Sequence, residues 1–265
     1  MSMMKWALLL SLAAVSTWAE IRTKVVEYKH DGQALEGWLT YDDTKVTPGQ
    51  KRPAVLIVHQ WKGLSDYEKK RAEMLAKLGY VAFAVDIYGK GVRPTAPQAA
   101  SAEAGKYKND RALLRGRVKA GLAELLKQEM VDSKKVAAIG YCFGGTTVLE
   151  LARSGADVAG VVSFHGGLSS PTPEDAENIK TRVLALHGAV DPFVKPDEVL
   201  AFTEEMAKAK VDWQLVAYGD AVHSFTDWNA GNDASKGSAY NEKADKRSWE
   251  DMRQFFAEIF NEQAK

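Results

Sequence analysis

Cysteine is nearly absent from this chain of 265 residues, with Cys142 its single example. One cysteine cannot form an internal disulfide, which excludes a disulfide scaffold and a cysteine-rich metal site. An excess of charge of either sign is also missing. The 35 basic residues meet 35 acidic ones, so nucleic acid and anionic membrane are not implied as partners. No repeat, low-complexity tract or linker-like boundary interrupts the chain. Beyond the N-terminus, no apolar run approaches the roughly 20 residues that a bilayer-crossing helix needs. What is present is a 46% apolar composition, which suits one domain with a large core.

Residues 1–19 have the layout of a secretory signal peptide. Lys5 supplies the charge, residues 6–15 form an apolar stretch, and Thr17 and Ala19 are the small residues before a cleavage point. The apolar stretch, at about ten residues, is too short to span a bilayer stably, and a retained N-terminal anchor is the alternative reading. The expectation is a single domain over residues 20–265, periplasmic or secreted, with no membrane association after cleavage. Loss of Lys5 leaves 34 basic residues against 35 acidic ones.

The remaining chain opens with two strands, 24–28 and 35–41, joined by a hairpin whose Asp31-Gly32 pair is a turn signal. Residues 53–59 then form a continuous apolar run, the mark of a strand covered on both faces. Strand and helix alternate from there. Helices are expected at 65–78 (closed by Gly79), within 88–128 including 111–127, and at 145–153, 196–208 and 244–260. Strands are expected at 80–86, 136–141, 158–165, 182–187 and 213–218. An antiparallel hairpin followed by βα units implies a mostly parallel central sheet with helices on both faces, its active residues lying beyond the carboxyl ends of the strands. His59, Asp86, Cys142, His165, His187, Asp191 and His223 all fall at that edge.

Residues 140–145 read Gly-Tyr-Cys-Phe-Gly-Gly where a strand gives way to a helix. A residue pushed out on so sharp a turn needs neighbours without bulk, and Gly140 and Gly144 occupy those positions. The helix that follows aims its free N–H groups and dipole at the turn and favours a thiolate. A lone cysteine is most often a small buried hydrophobe. Here, an unpaired thiol in an exported chain at the tip of an elbow reads instead as a nucleophile. A thiol of ordinary pKa needs a base and an acid that holds the base. In this architecture the order along the chain is nucleophile, acid, base. Asp191 follows one strand and His223 the next, and both fit. His59 reads as pocket lining, and His165 and His187 as structural or pocket residues. The histidines have no metal-ligand spacing, so no metal and no cofactor is expected. Backbone N–H groups of Trp61, on the loop after strand 53–59, and of Phe143 are the expected oxyanion hole. The segments 88–108 and 226–243 are expected to wall the pocket.

The elbow, the stretch Gly188 to Asp191, the stretch Ala221-Val222-His223-Ser224-Phe225 and the sequence Asp86-Ile87-Tyr88-Gly89 together resemble the dienelactone hydrolase family over nearly all of residues 25–260. The resemblance implies an α/β-hydrolase fold with Cys142 as nucleophile, His223 as base and Asp191 as its orienting acid. Two departures mark this chain. Gln60 stands where the family carries a glutamate beside the resting thiol. Lys90 and Asp227 stand where its dienelactone enzymes bind the substrate carboxylate with two arginines. Lys90 and Gln60 are thus expected in the substrate pocket, and the preferred substrate shifts away from the carboxylate-bearing dienelactone. The resulting expectation is a cofactor-free hydrolase of activated small esters or lactones, acting through a thioacyl-enzyme as a monomer or homodimer. A non-catalytic exported binding protein and a redox-sensing interaction protein remain the alternatives.

Overall fold

A computed structural model describes residues 20–46 and 49–261. The expected signal segment lies outside them. Eight strands form one sheet in the order β1-β2-β4-β3-β5-β6-β7-β8. The first two, β1 (Ile21–His30) and β2 (Gln33–Asp42), make the antiparallel hairpin. Its turn places Asp31 and Gly32 at φ 49° and 76°, the paired positive values that match the twist of the flanking strands. β2 then pairs antiparallel with β4 (Val81–Val85), and every later pairing is parallel.

β3 (Arg52–Val58) lies at the centre, and residues 54–58 are wholly buried. Burial on both faces is why its sequence is continuously apolar rather than alternating. β5 (Val131–Tyr141) begins five residues before the expected strand, because Val131 pairs with Arg52 across a register irregularity. β6 (Gly160–Phe164), β7 (Arg182–Gly188) and β8 (Trp213–Tyr218) complete the sheet.

One face is covered by α1 (Asp66–Leu78) and α6 (Glu242–Ile259), packed through Leu75, Met252 and Phe256. α1 starts on a capping box in which Ser65 and Glu68 bond each other's backbone N–H, and Gly79 at φ 100° ends it. The other face carries α2 (Pro97–Asn109), α3 (Arg111–Leu126), α4 (Phe143–Arg153) and α5 (Pro196–Lys208). Asp110 separates α2 from α3 and caps α3 through its carboxylate, close to the expected helix 111–127. α4 begins at Phe143, two residues earlier than expected, with Cys142 at its N-cap. The fold is the expected α/β hydrolase, and it carries Cys142, His165, Asp191 and His223 to one edge of the sheet.

Candidate active site

Among the glycines of the described residues, those of the elbow have the least room. A Cβ on Gly140 would lie 2.0 Å from the Gly144 carbonyl oxygen, and one on Gly144 would lie 2.2 Å from that of Val58. Neither position has room for a side chain, so strand, turn and helix close only with glycine there. Cys142 itself takes φ 55° and ψ −112°, a conformation costly for a non-glycine residue and typical of functional sites.

The thiol meets the expected partners. His223 Nε2 lies 3.1 Å from Cys142 Sγ, and His223 Nδ1 lies 2.7 Å from Asp191 Oδ2. The second carboxylate oxygen, Oδ1, accepts the Phe193 N–H at 2.8 Å, so both oxygens of the buried Asp191 are engaged. Burial pushes the Cys142 thiol up, but the charge and hydrogen bond of His223, the Lys108 ammonium and the Phe143 N–H bring it below its ordinary value. Burial likewise opposes an imidazolium at His223, yet the sulfur and Asp191 raise it to about 10. Both directions favour a thiolate–imidazolium pair at neutral pH.

His165, at the end of β6, completes the support. Its Nδ1 accepts the Cys142 N–H at 3.2 Å, a proton that the Phe164 carbonyl also accepts at 3.0 Å. Its Nε2 then carries the hydrogen and donates to Thr226 Oγ1 at 2.7 Å. Burial and the neighbouring His223 charge hold His165 well below its ordinary pKa, hence neutral. Thr226 is fixed in turn by the Tyr67 hydroxyl at 2.7 Å and by Arg71, which reaches the Thr226 carbonyl and Asp245. The chain immediately after His223 is therefore pinned to the same ring that steadies the Cys142 backbone. Chain position marks His165 as a rim residue. Only the folded arrangement reveals what it holds.

On the β3 side, the Gly63 N–H bonds to the Gln60 carbonyl at 3.1 Å, closing a turn around Trp61 and Lys62. The Trp61 N–H has no acceptor among the described residues, and the Phe143 N–H faces the sulfur. The two expected oxyanion donors are thus unspent by main-chain pairing. His59 does not line a pocket as expected. It is fully buried, donates from Nδ1 to the Gln60 carbonyl, accepts the Ile87 N–H at Nε2, and is held near pKa 3 by burial. Gln60 is also buried, and its side-chain amide donates to Asp227 Oδ2 at 2.9 Å. Its backbone N–H donates to the buried Glu68.

Lys90 is not brought to the site. The turn after β4 folds back on the hairpin, the Lys90 N–H bonds to the Ala34 carbonyl, and its exposed ammonium pairs with Glu27 at 2.5 Å. The cation near the sulfur is Lys108, at the end of α2, which the sequence reading placed only within a wall segment. The two expected walls differ in kind. α2 lines a hollow with Trp61, through Pro97, Gln98, Ser101 and Ala102. Residues 226–243 instead bracket the base, with the His223 N–H bonded to the Gly237 carbonyl and the Ala239 N–H bonded to that of His223. Among the described residues, no group of three or more His, Cys, Asp or Glu could hold a metal ion, and no helix is long and apolar enough to cross a membrane.

Comparison with known proteins identifies the fold and the family. The model of the dienelactone hydrolase family matches residues 40–260. A solved dienelactone hydrolase-like promiscuous phosphotriesterase from metagenomic libraries is 40% identical, with a TM-score of 0.86 over 91% of this chain and 99% of that one. A structure titled m3DLH is also 40% identical, with a TM-score of 0.85 over 90% of this chain and 98% of its own. A provisionally named carboxymethylenebutenolidase of Aquifex aeolicus is 29% identical over 88% of this chain and 97% of its length. With its fold and most of its length in agreement, the chain belongs to the dienelactone hydrolase family and is a hydrolase that acts on ester bonds.

Proposed function

We propose that Cys142, His223 and Asp191 form a catalytic triad that cleaves activated small esters or lactones through a thioacyl-enzyme. The observation that carries this reading is the unbroken line from sulfur to imidazole to carboxylate, at 3.1 and 2.7 Å. The Cys142 thiolate attacks the carbonyl carbon, and the oxygen takes up the negative charge, facing the N–H groups of Trp61 and Phe143. The intermediate collapses by expelling the alkoxide or enolate, which takes the proton from His223 Nε2. His223, now neutral, removes a proton from water, and the hydroxide attacks the thioester. The acid leaves and the thiol is restored.

A thiolate is a better leaving group than an ordinary alkoxide, so the first intermediate of a plain alkyl ester mostly reverts. Enol lactones, aryl esters and thioesters carry leaving groups that compete with it and go forward. The likeness to the promiscuous phosphotriesterase extends the substrates worth testing to phosphotriesters. The signal-like layout of residues 1–19 supports export of this activity from the cytoplasm. N-terminal sequencing of the protein recovered from a periplasmic fraction tests that part.

The chemical test is a rapid-mixing experiment with 4-nitrophenyl acetate. A burst of one nitrophenolate per chain, with an acetyl mass increase at Cys142, is the expected result. Steady release without a burst, together with full turnover by Cys142→Ala, would overturn the mechanism.

A further inference from the structure

A groove behind the proposed triad carries a group that the reaction does not use. It runs between α5 and the edge strand β8, holds about 580 Å³, and surrounds His187 with Val190, Val199, Leu200, Leu215 and Ala217. His187 pairs directly with Ala217 across β7 and β8, with Leu215 two residues earlier, so all three side chains share the face that α5 covers. Of the proposed triad, only Asp191 borders this space, from the rear of its loop.

His187 is the anomaly. It is 7% exposed, Nδ1 is fully buried without a partner, and the ring makes no hydrogen bond to any described residue. Each of the other two rim histidines not assigned to the triad has both ring nitrogens satisfied. A buried polar group left unpaired is costly, and such groups are few in folded proteins. The surrounding wall is mostly apolar: its other polar side chains, Asp191 and Thr203, already have hydrogen-bond partners, and Val190 and Leu200 are 56% and 58% exposed. A cavity of this size, largely apolar with a few polar groups of which only His187 lacks a partner, has the composition of a small-molecule site. The charges nearby decide the sign of the ligand. Burial keeps the imidazole neutral, and the charges that act on it are the carboxylates of Asp191 and Glu198 against the single imidazolium of His223, a net negative balance that disfavours an anion.

We propose that this groove is a second binding site, which takes a small neutral apolar molecule whose carbonyl or hydroxyl oxygen accepts a hydrogen bond from His187. The apolar body of the ligand covers Val199, Leu200 and Leu215, and its oxygen accepts from the Nε2–H, the ring nitrogen that is not sealed off.

The test titrates full-length protein, alkylated at Cys142 so that the reaction site is closed, with 2-nonanone while the histidine ring signals are followed by NMR. The expected result is a saturable shift of the His187 signals, with nonanoate at the same concentration binding more weakly. Loss of one neutral hydrogen bond in His187→Leu should weaken 2-nonanone on the order of fivefold, read from the methyl signals of Val199 and Leu200. Leu200→Lys, a change at an exposed position, should abolish binding and leave the fold intact. The proposal is overturned if 2-nonanone gives no saturable shift at His187 up to its solubility limit, or if nonanoate binds equally well. It is also overturned if sedimentation finds a dimer that Leu200→Lys dissociates while 2-nonanone does not bind, since the groove would then hold a second copy of the chain.

Discussion

Two imidazoles lie side by side at the candidate site, His165 and His223, their ring centroids 5.4 Å apart and their planes at 67°. Burial drives both towards the neutral form, yet they end in opposite states. His223 has a thiol on one nitrogen and a carboxylate on the other, and the two acids draw it up to about 10. His165 has a main-chain N–H on one and a threonine hydroxyl on the other, so no acid offsets burial and the neighbouring charge. His59, with two main-chain partners, falls to about 3 for the same reason. On this rim the partners, more than depth, set the charge of a histidine. Keeping the neighbours neutral also spares the His223 imidazolium from like-charge repulsion.

The contrast breaks most visibly if the charged half is removed. Cys142→Ala and His223→Ala act on one unit, so each is expected to lose on the order of 10³-fold or more in kcat on an aryl ester. Asp191→Asn is expected to be less severe, because the thiol and imidazole still touch. Steady-state kinetics on the purified variants check this order. Near-wild-type turnover by His223→Ala would end the assignment of the base.

Removing the neutral half should cost less and act differently. His165→Leu takes one partner from Thr226 Oγ1 and one from the Cys142 N–H, but each keeps another, Tyr67 and Phe164 respectively. The expected loss of stability is therefore about 1–3 kcal/mol, within the range for a disturbed buried polar group. Because the elbow backbone loses support, alkylation of Cys142 should slow at every pH, without a change in the midpoint of its pH profile. His165→Gln, which can still donate to Thr226, should recover part of both losses. A large change in midpoint would show that His165 takes part in the proton equilibrium instead.

The same contrast explains what could be read from the sequence. The sheet, its order of elements and the Cys142, Asp191 and His223 positions follow from periodicity and strand ends, since a parallel sheet delivers every strand terminus to one edge. The family resemblance placed the same three residues. Pocket residues do not obey that rule. Lys90 also follows a strand, but its turn folds back onto the hairpin, where Glu27 takes the ammonium. His59 sits at a strand end and spends both nitrogens on main chain. The partner of Gln60 lies 167 positions further along, and no local pattern announces a contact of that range. The proposal of export rests on residues 1–19 alone, outside the described structure.

The smallest expected effect sharpens the comparison furthest, because it asks how a charge near the pair is heard by it. Cys142 lies below its ordinary value, so the thiolate fraction, and with it iodoacetamide alkylation, should persist as the pH falls well below 8 and decline only through that lowered value. Replacement of Gln60 by glutamate sets a carboxyl where an amide now donates to Asp227 across 2.9 Å. Two carboxylates at that distance do not both ionise easily, so one takes up a proton and donates much as the amide did. Much of the added charge is thereby cancelled near neutral pH. The remainder disfavours the thiolate, and the alkylation midpoint of Gln60→Glu should move to higher pH by less than about one unit, a cost under about 1.4 kcal/mol. A wild-type profile with a single inflection near the free-thiol value of about 8.5 would show that His223 does not activate the sulfur at rest. A larger upward shift in Gln60→Glu would show instead that the Asp227 carboxylate does not share the proton, and that the new charge reaches Cys142 undiminished.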